Sequence, residues 1–198
     1  MNQLKNNLLY LLILFSLISC SELKTIKSYG LTPATIELKE NKAYVNGTLG
    51  KTFYKKLKKT IEKNPNLETI VLLDIPGSVN DEWNLKSCLL IYEKGLNTEL
   101  QKNSIVESGG TDLFVSGKKL IIADGAKIGV HSWGGGEKPA TEYPENHLEH
   151  KMFLDFYNKV EIDTSFYWFT LKAAPADGMY FMTKQEMEKY FGNKIRIR

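Results

Sequence analysis

The 198-residue sequence predicts a single α/β domain, in which helices pack against a β-sheet. The stretch "ETIVLLDI", residues 68–75, is a continuous β-rich run, typical of a strand buried on both faces of a parallel sheet. Between residues 52 and 63, apolar residues recur every four positions among lysines, which indicates an amphipathic helix. Glycines then punctuate an alternation of strand-like and helix-like segments, the pattern of βαβ crossovers.

The composition is that of a globular protein with a substantial core. Hydrophobic residues make up 42% of the chain and charged residues 25%, and the formal net charge is only +3. This balance implies neither a nucleic acid nor another strongly anionic partner.

The first twenty residues have the shape of an export signal. Lys5 precedes the apolar run "LLYLLILFSLIS", residues 8–19, which is short for a membrane span. The run ends in Leu17-Ile18-Ser19-Cys20, which resembles the lipobox of bacterial lipoproteins. A plain signal anchor and an ordinary secretory peptide with a chance cysteine are the alternatives.

The lipobox resemblance implies a signal peptide over residues 1–19 and lipidation of Cys20. Residues 20–33 are then a tether, and residues 34–198 form the domain. The protein would lie in the cell envelope, attached by lipid outside the cytoplasmic membrane. Ser21 after the cysteine resembles the outer-membrane class, which in a Gram-negative cell would face the periplasm.

The first elements of the domain follow from local patterns. Residues 35–49 alternate apolar and polar side chains on both sides of Glu40-Asn41, which predicts a β-hairpin. The helix over residues 52–63 comes next, and the strand over residues 68–75 stops at Pro76-Gly77.

The middle of the chain continues the alternation. A helix is predicted over residues 81–93, then the strand "LNTELQ", the short helix "GTDLFVSG", and the strands "KLIIADG" and "AKIGVHSW". The remainder is mostly helical. Cys88 is expected to be a small core residue, and with Cys20 acylated it has no partner for an intramolecular disulfide.

Two residues at predicted strand ends could carry chemistry, because ligands of α/β folds bind at the carboxyl ends of strands. Ser108, in "VESGGTDLF", lies at a glycine-rich turn that opens a helix, where a serine could be a nucleophile or a helix N-cap. His131 ends an apolar strand and could be its base, although a buried structural histidine would give the same pattern. Residue patterns alone leave both alternatives open.

The order of several motifs resembles the Clp-protease-like branch of the crotonase superfamily, especially its exported bacterial members of unassigned function. The motifs are "IVLLDIPGSVNDE", a helix, "GLNTEL", "SIVESGGTDLFVSG" and "AKIGVHSWGG", and the resemblance covers residues 43–198. It implies a ββα spiral fold and homo-oligomers such as trimers or stacked rings. It implies neither a cofactor nor a metal.

The resemblance assigns roles to individual residues. Ser108 would be the nucleophile and His131 the general base, while the backbone amides of Gly77 and Gly109 would form the oxyanion hole. Asp177 is the first choice for the acid that orients the histidine.

The chain departs from the family pattern at several positions. Met179 stands where the family has its acid, so Asp163 is a second choice for that role and a Ser-His dyad is a third alternative. Ser78 replaces the second glycine of a Pro-Gly-Gly motif. Glu107 replaces a small residue before the nucleophile, where its charge would oppose an oxyanion unless it points away.

Other polar and aromatic residues have expected structural roles. Asp112 is expected to fix its helix by hydrogen bonding, and His147 and His150 to be surface residues rather than metal ligands. The aromatic residues between 166 and 181 should pack against the sheet, although some could line an apolar acyl or peptide pocket.

Together these observations predict a membrane-anchored serine hydrolase, a peptidase, that acts on a peptide or acyl substrate. The alternative is a non-catalytic envelope lipoprotein that keeps the fold as a binding module. A crotonase-type acyl-CoA enzyme is least expected, because CoA is not expected outside the cytoplasm.

Overall fold

A computed structural model describes Glu22, residues 24–27, residues 30–134 and residues 138–198. The predicted signal peptide and Cys20 lie outside these described residues. In the part of the chain that is described, no helix is long and apolar enough to cross a membrane.

The described residues form one eight-stranded mixed sheet. An antiparallel hairpin, β1 and β2, leads into parallel strands in the order β2, β3, β4, β5 and β8. Strand β6 pairs with β4, and β7 pairs antiparallel with β6. The strands are β1 Thr35–Lys39, β2 Lys42–Asn46, β3 Thr69–Ile75, β4 Asn97–Glu107, β5 Leu120–Ile122, β6 Lys127–Val130, β7 Tyr180–Phe181 and β8 Ile195–Ile197.

Helices cover the sheet, and the predicted amphipathic helix is confirmed because its apolar positions Phe53, Leu57 and Ile61 are buried. Cys88 is also fully buried, as expected. The helices are α1 Lys51–Lys63, α2 Asp81–Glu93, α3 Gly109–Val115, α4 Leu148–Lys159, α5 Ser165–Ala173 and α6 Lys184–Phe191, with 3-10 turns at Ala140–Glu142 and Gly192–Lys194.

Strand β3 is buried on both faces, as its composition predicts. Successive side chains of a strand point to opposite faces, and Ile70, Val71 and Leu72 are each 0% exposed. This strand delivers Pro76 and Gly77 to the edge of the sheet where the candidate site lies.

Strand β4 is longer than the sequence predicts and serves two neighbours. Its first part pairs with β5, and its last three residues, 105–107, pair with β6. The polar stretch between these two parts does not look like a strand in the sequence. Within it, Ser104 Oγ donates to the Leu72 carbonyl oxygen at 2.6 Å and accepts from the Gln101 amide. The second half of β4 carries the chain to Ser108.

Part of the predicted tether packs against the domain. Ile26 is only 2% exposed. The Glu22 carboxylate accepts hydrogen bonds from the backbone N–H groups of Lys51 and Thr52, the first residues of α1. Because Gly50 before this helix has no side chain to cap it, Glu22 supplies the cap.

Candidate active site

Ser108 lies in a strained turn between β4 and α3. Its backbone has φ 53° and ψ −124°, a conformation that residues other than glycine rarely adopt and that costs about 1–3 kcal/mol. Its N–H donates to the Gly129 carbonyl oxygen at 3.1 Å, which fixes the turn against β6. Such a sharp strand-to-helix turn exposes the serine side chain at the end of the sheet.

The pairing of β4 with β6 brings His131 to the same place. Glu107 lies opposite Gly129, so Ser108 and His131 follow directly from paired strand ends. The Thr111 hydroxyl also donates to the Gly129 carbonyl oxygen, at 2.8 Å, and holds α3 against β6. Ser108 and His131 consequently line one cleft.

His131 is poised in this cleft without a fixed partner. Its Nδ1 is buried and has no hydrogen-bond partner among the described residues. The described residues also show no hydrogen bond between His131 and Ser108. Among the described residues, no acid is therefore hydrogen bonded to the imidazole.

The two acids proposed for that role lie in different places. Asp177 is exposed and lines the outer part of the cleft with Ser108 and His131. Asp163 lies just before α5. The Ser165 side chain, and then the Ser165 N–H, which donates to the carboxylate at 2.7 Å, lower the pKa of Asp163. The identity of a third member stays a prediction.

Asp81 is a cleft residue that the sequence analysis missed. It begins α2 and lines the cleft beside Ser108 and His131. Loss of surrounding water raises the pKa of its carboxyl, while the Ser78 hydroxyl, which donates to it at 3.2 Å, and the charge on His131 oppose the rise. An acid four residues after Gly77 was the available signal, but it looks like an ordinary first-turn helix residue.

Two glycines bring free backbone amides to the serine. Gly77 has φ +128°, and a Cβ there would lie 3.2 Å from Ser108 Cβ. A Cβ on Gly109 would lie 2.9 Å from Ser78 Oγ and 2.7 Å from Asn84 Nδ2. In the described part of the chain neither glycine N–H has an acceptor, so both are available to an oxyanion.

Glu107 lies away from the cleft. Its Cγ is 3.0 Å from where a Cβ on Gly129 would lie, beside the Met179 sulfur, and it is absent from the cleft lining. Burial raises the pKa of its carboxyl most, the charge of Asp74 adds to the rise, and the charge of His131 opposes it. The Glu107 carboxylate therefore interacts electrostatically with His131 although it does not line the cleft.

Beyond Ser108 the cleft continues into an inner pocket with a cavity volume of about 50 Å³. Four aromatic residues form one part of its wall. They are Trp133, Phe153, Tyr157 and Tyr167. Of the aromatic residues between 166 and 181, Tyr167 lines this pocket, while Phe166 is fully buried in the core.

Asp112 joins α3 to α4 inside this pocket. Its Oδ1 accepts from the Tyr157 hydroxyl at 2.5 Å, which confirms the expected hydrogen-bonding role. Desolvation raises the pKa of Asp112 to about 7, with the Tyr157 hydrogen bond opposing the rise and the charge of Asp81 adding to it.

The two histidines of α4 differ, and the expectation that both lie at the surface is wrong for His150. His150 is 0% exposed, and its Nδ1 lies 2.7 Å from the Tyr167 hydroxyl. His147 is exposed and its Nδ1 accepts from the Glu149 N–H. Among the described residues, no group of three or more His, Cys, Asp or Glu side chains is placed to hold a metal ion.

The chain has the fold that Clp-protease-like and crotonase proteins share, as the sequence predicted. The membrane-bound stomatin-specific protease 1510-N, as a serine-to-alanine mutant, matches with a TM-score of 0.53 at 15% identity over 78% of this chain and 77% of that chain. The same protease from Pyrococcus horikoshii gives 0.52 at 16% identity over 78% and 71%. An enoyl-CoA hydratase from Bacillus halodurans gives 0.50 at 14% identity over 83% and 73%.

The comparisons by sequence add no family assignment. No family model matches the chain, and no curated protein is similar to it at a significant level. The likeness to solved structures therefore defines the fold, and the activity has to be argued from the site.

Proposed function

We propose that this protein is a serine hydrolase of the cell envelope that cleaves peptides, with Ser108 as nucleophile and His131 as general base. The observation that carries the proposal is the strained backbone of Ser108 in the cleft that it shares with His131. Strain of this kind is retained where the surrounding structure holds a functional group in place. The free amides of Gly77 and Gly109 support the same reading.

In the proposed reaction, His131 takes the proton of Ser108 Oγ as this oxygen attacks a peptide carbonyl carbon. The carbonyl oxygen becomes negative and accepts hydrogen bonds from the Gly77 and Gly109 amides. His131 returns the proton to the leaving amine, and an acyl-enzyme remains. Water, activated by His131, then releases the acid and restores Ser108.

The resting structure needs one adjustment for this reaction. Ser108 and His131 are not hydrogen bonded to each other, and catalytic hydrogen bonds are often long or poorly aligned before substrate binds. The proposed reaction therefore requires Ser108 Oγ and the imidazole to form this hydrogen bond when substrate binds.

The proposed location follows from lipidation at Cys20. Glu22, which caps α1, lies near the cleft, since a Cβ on Gly50 would meet both Glu22 and Val79, and Val79 lines the outer cleft. Cys20→Ala should abolish incorporation of labelled palmitate in cells, and continued labelling would contradict the anchor.

A fluorophosphonate probe tests the proposed nucleophile. Wild type should be labelled and Ser108→Ala should not, because the probe forms a covalent bond only with an activated hydroxyl. Ser165→Ala, which removes an exposed serine outside the cleft, is the matched control and should be labelled like wild type. Equal labelling of Ser108→Ala and wild type would overturn the proposal.

A second candidate is a non-catalytic binding module, favoured by the unpartnered Nδ1 of His131. The two functions differ in the effect of His131→Ala. A hydrolase should lose about 1,000-fold or more in labelling rate, because the base of such a pair activates its serine. A binding module should show the same slow labelling with and without the histidine.

A further inference from the structure

The inner pocket combines aromatic side chains with acidic groups. Asp112 and Asp81 line it, together with Trp133, Phe153 and Tyr167. No lysine or arginine occurs among its described lining residues, so His131 is the one other group there that can carry positive charge.

Asp112 is placed to contact whatever enters the pocket. It lies one helical turn after Ser108, so its carboxyl is on the same side of α3 as the nucleophile. The Tyr157 hydroxyl donates to Oδ1, and Oδ2 has no hydrogen-bond partner among the described residues. Burial raises the pKa of Asp112 to about 7, because the charged carboxylate is desolvated there and no cation stabilises it.

We propose that this pocket receives a lysine or arginine side chain of the substrate, from the residue whose carbonyl carbon Ser108 attacks. The inference rests on the proposed hydrolase function and names its substrate class. Ser108, Gly109 and His131 lie at the pocket mouth, so a residue bound there presents its own carbonyl to the nucleophile.

A basic side chain fits the pocket better than the other classes. An acidic side chain would be repelled by Asp112 and Asp81. A purely apolar side chain would displace water from Asp112 and leave its carboxyl without a hydrogen-bond partner to replace that water. An ammonium or guanidinium group forms a charge-assisted hydrogen bond with the carboxylate, and the aromatic faces attract cations as well.

Paired activity-based probes test this specificity. Two peptidyl phosphonates are compared, identical except that one carries a lysine side chain and the other norleucine, which lacks the charge. Wild type should react about 10- to 100-fold faster with the lysine probe, the range expected for a hydrogen bond to a charged group. Asp112→Asn should lose most of this preference, because asparagine keeps the shape of the aspartate side chain without its charge.

Asp155→Asn is the matched control, because it removes the same charge from the exposed face of α4, where Asp155 pairs with Lys151. This variant should keep the full lysine preference. Equal reactivity of wild type with both probes, or a lysine preference that survives in Asp112→Asn, would overturn the proposal.

A binding measurement separates this proposal from the proposed catalysis. In Ser108→Ala, N-acetyl-lysine methylamide should change the intrinsic tryptophan fluorescence, to which Trp133 in the pocket contributes, at lower concentration than the norleucine analogue does. If wild type reacts with neither phosphonate but lysine-selective binding is present, the hydrolase proposal fails and the cation pocket stands. If both compounds bind Ser108→Ala equally, the cation pocket fails whether or not Ser108 is reactive.

Discussion

The cleft has two walls that are built by different means. The sheet wall consists of Ser108, Gly109 and His131, and Gly77 lies directly against Ser108. These residues follow the ends of three strands and are placed by the backbone. The aromatic wall consists of Asp112, Trp133, Phe153, Tyr157 and Tyr167, which meet through side-chain contacts between α3, the segment after β6, α4 and α5.

This difference separates chemistry from recognition. In the sheet wall, glycine and a strained serine make room for backbone amides, so small changes in backbone geometry should affect reactivity. In the aromatic wall, hydrogen bonds such as that from Tyr157 to Asp112 join distant helices. Substitutions there should affect stability and specificity before they affect the nucleophile.

The largest expected effect on stability comes from Asp112→Asn in the aromatic wall. The pKa of Asp112 is about 7 in the fold against 3.8 for an ordinary aspartate, so the folded protein holds this proton more tightly than the unfolded chain. The raised pKa of Asp112 therefore makes its full contribution to the wild-type free energy of unfolding below pH 3.8. This contribution is lost as the pH rises through 7.

Asparagine does not titrate. The free energy of unfolding of Asp112→Asn minus that of wild type should therefore be larger at pH 8 than at pH 3, by up to about 4 kcal/mol. Urea unfolding at the two pH values measures this. A stability difference that is the same at both pH values would show that Asp112 is not desolvated in the pocket.

Gly77→Ala, beside the sheet wall, should act mainly on reactivity. The new Cβ would lie 3.2 Å from Ser108 Cβ and would occupy a backbone with φ +128°. The new methyl group should displace the Ser108 side chain. This displacement should lower the fluorophosphonate labelling rate about 100-fold.

Gly95→Ala provides the control for backbone strain alone. Gly95 also has a positive φ, +64°, but a Cβ there would meet no atom within 4 Å. This variant should lose about 1 kcal/mol of stability with an unchanged labelling rate. Equal labelling losses in both variants would mean that strain, rather than the position of Gly77, sets reactivity.

The smallest expected effect is that of Tyr167→Phe in the aromatic wall. The Tyr167 hydroxyl accepts from Trp133 Nε1 at 2.9 Å and contacts buried His150 Nδ1, so its loss leaves two polar groups unpaired. The free energy of unfolding should fall by about 1–3 kcal/mol. Tyr190→Phe, whose hydroxyl contacts the neighbouring Lys189 at the surface, should change it by less than about 0.5 kcal/mol.

Much of the sheet wall could be predicted from the sequence, because its signals are local. A β-rich run before Pro76-Gly77 and an apolar strand before His131 place those residues at strand ends. The glycines after Ser108 indicate a turn into a helix. The order of these motifs then gave the fold, which the structure confirms.

The aromatic wall could not be predicted, because its contacts join residues far apart in sequence. Asp112 and Tyr157 are 45 positions apart, and only the packing of α3 against α4 brings them together. His150 looked like a surface residue because its neighbours are polar, yet α4 turns it toward Tyr167. Asp81 was missed for a similar reason, since its contact with the cleft depends on how α2 lies beside the loop after β3.

The structure of a phosphonyl adduct would test most directly whether Ser108, His131 and the two amides act as one site. We expect phosphorus bound to Ser108 Oγ, the phosphonyl oxygen about 2.7–3.1 Å from the backbone nitrogens of both Gly77 and Gly109, and His131 beside Ser108. An adduct on another residue, or a phosphonyl oxygen directed away from both amides, would contradict it.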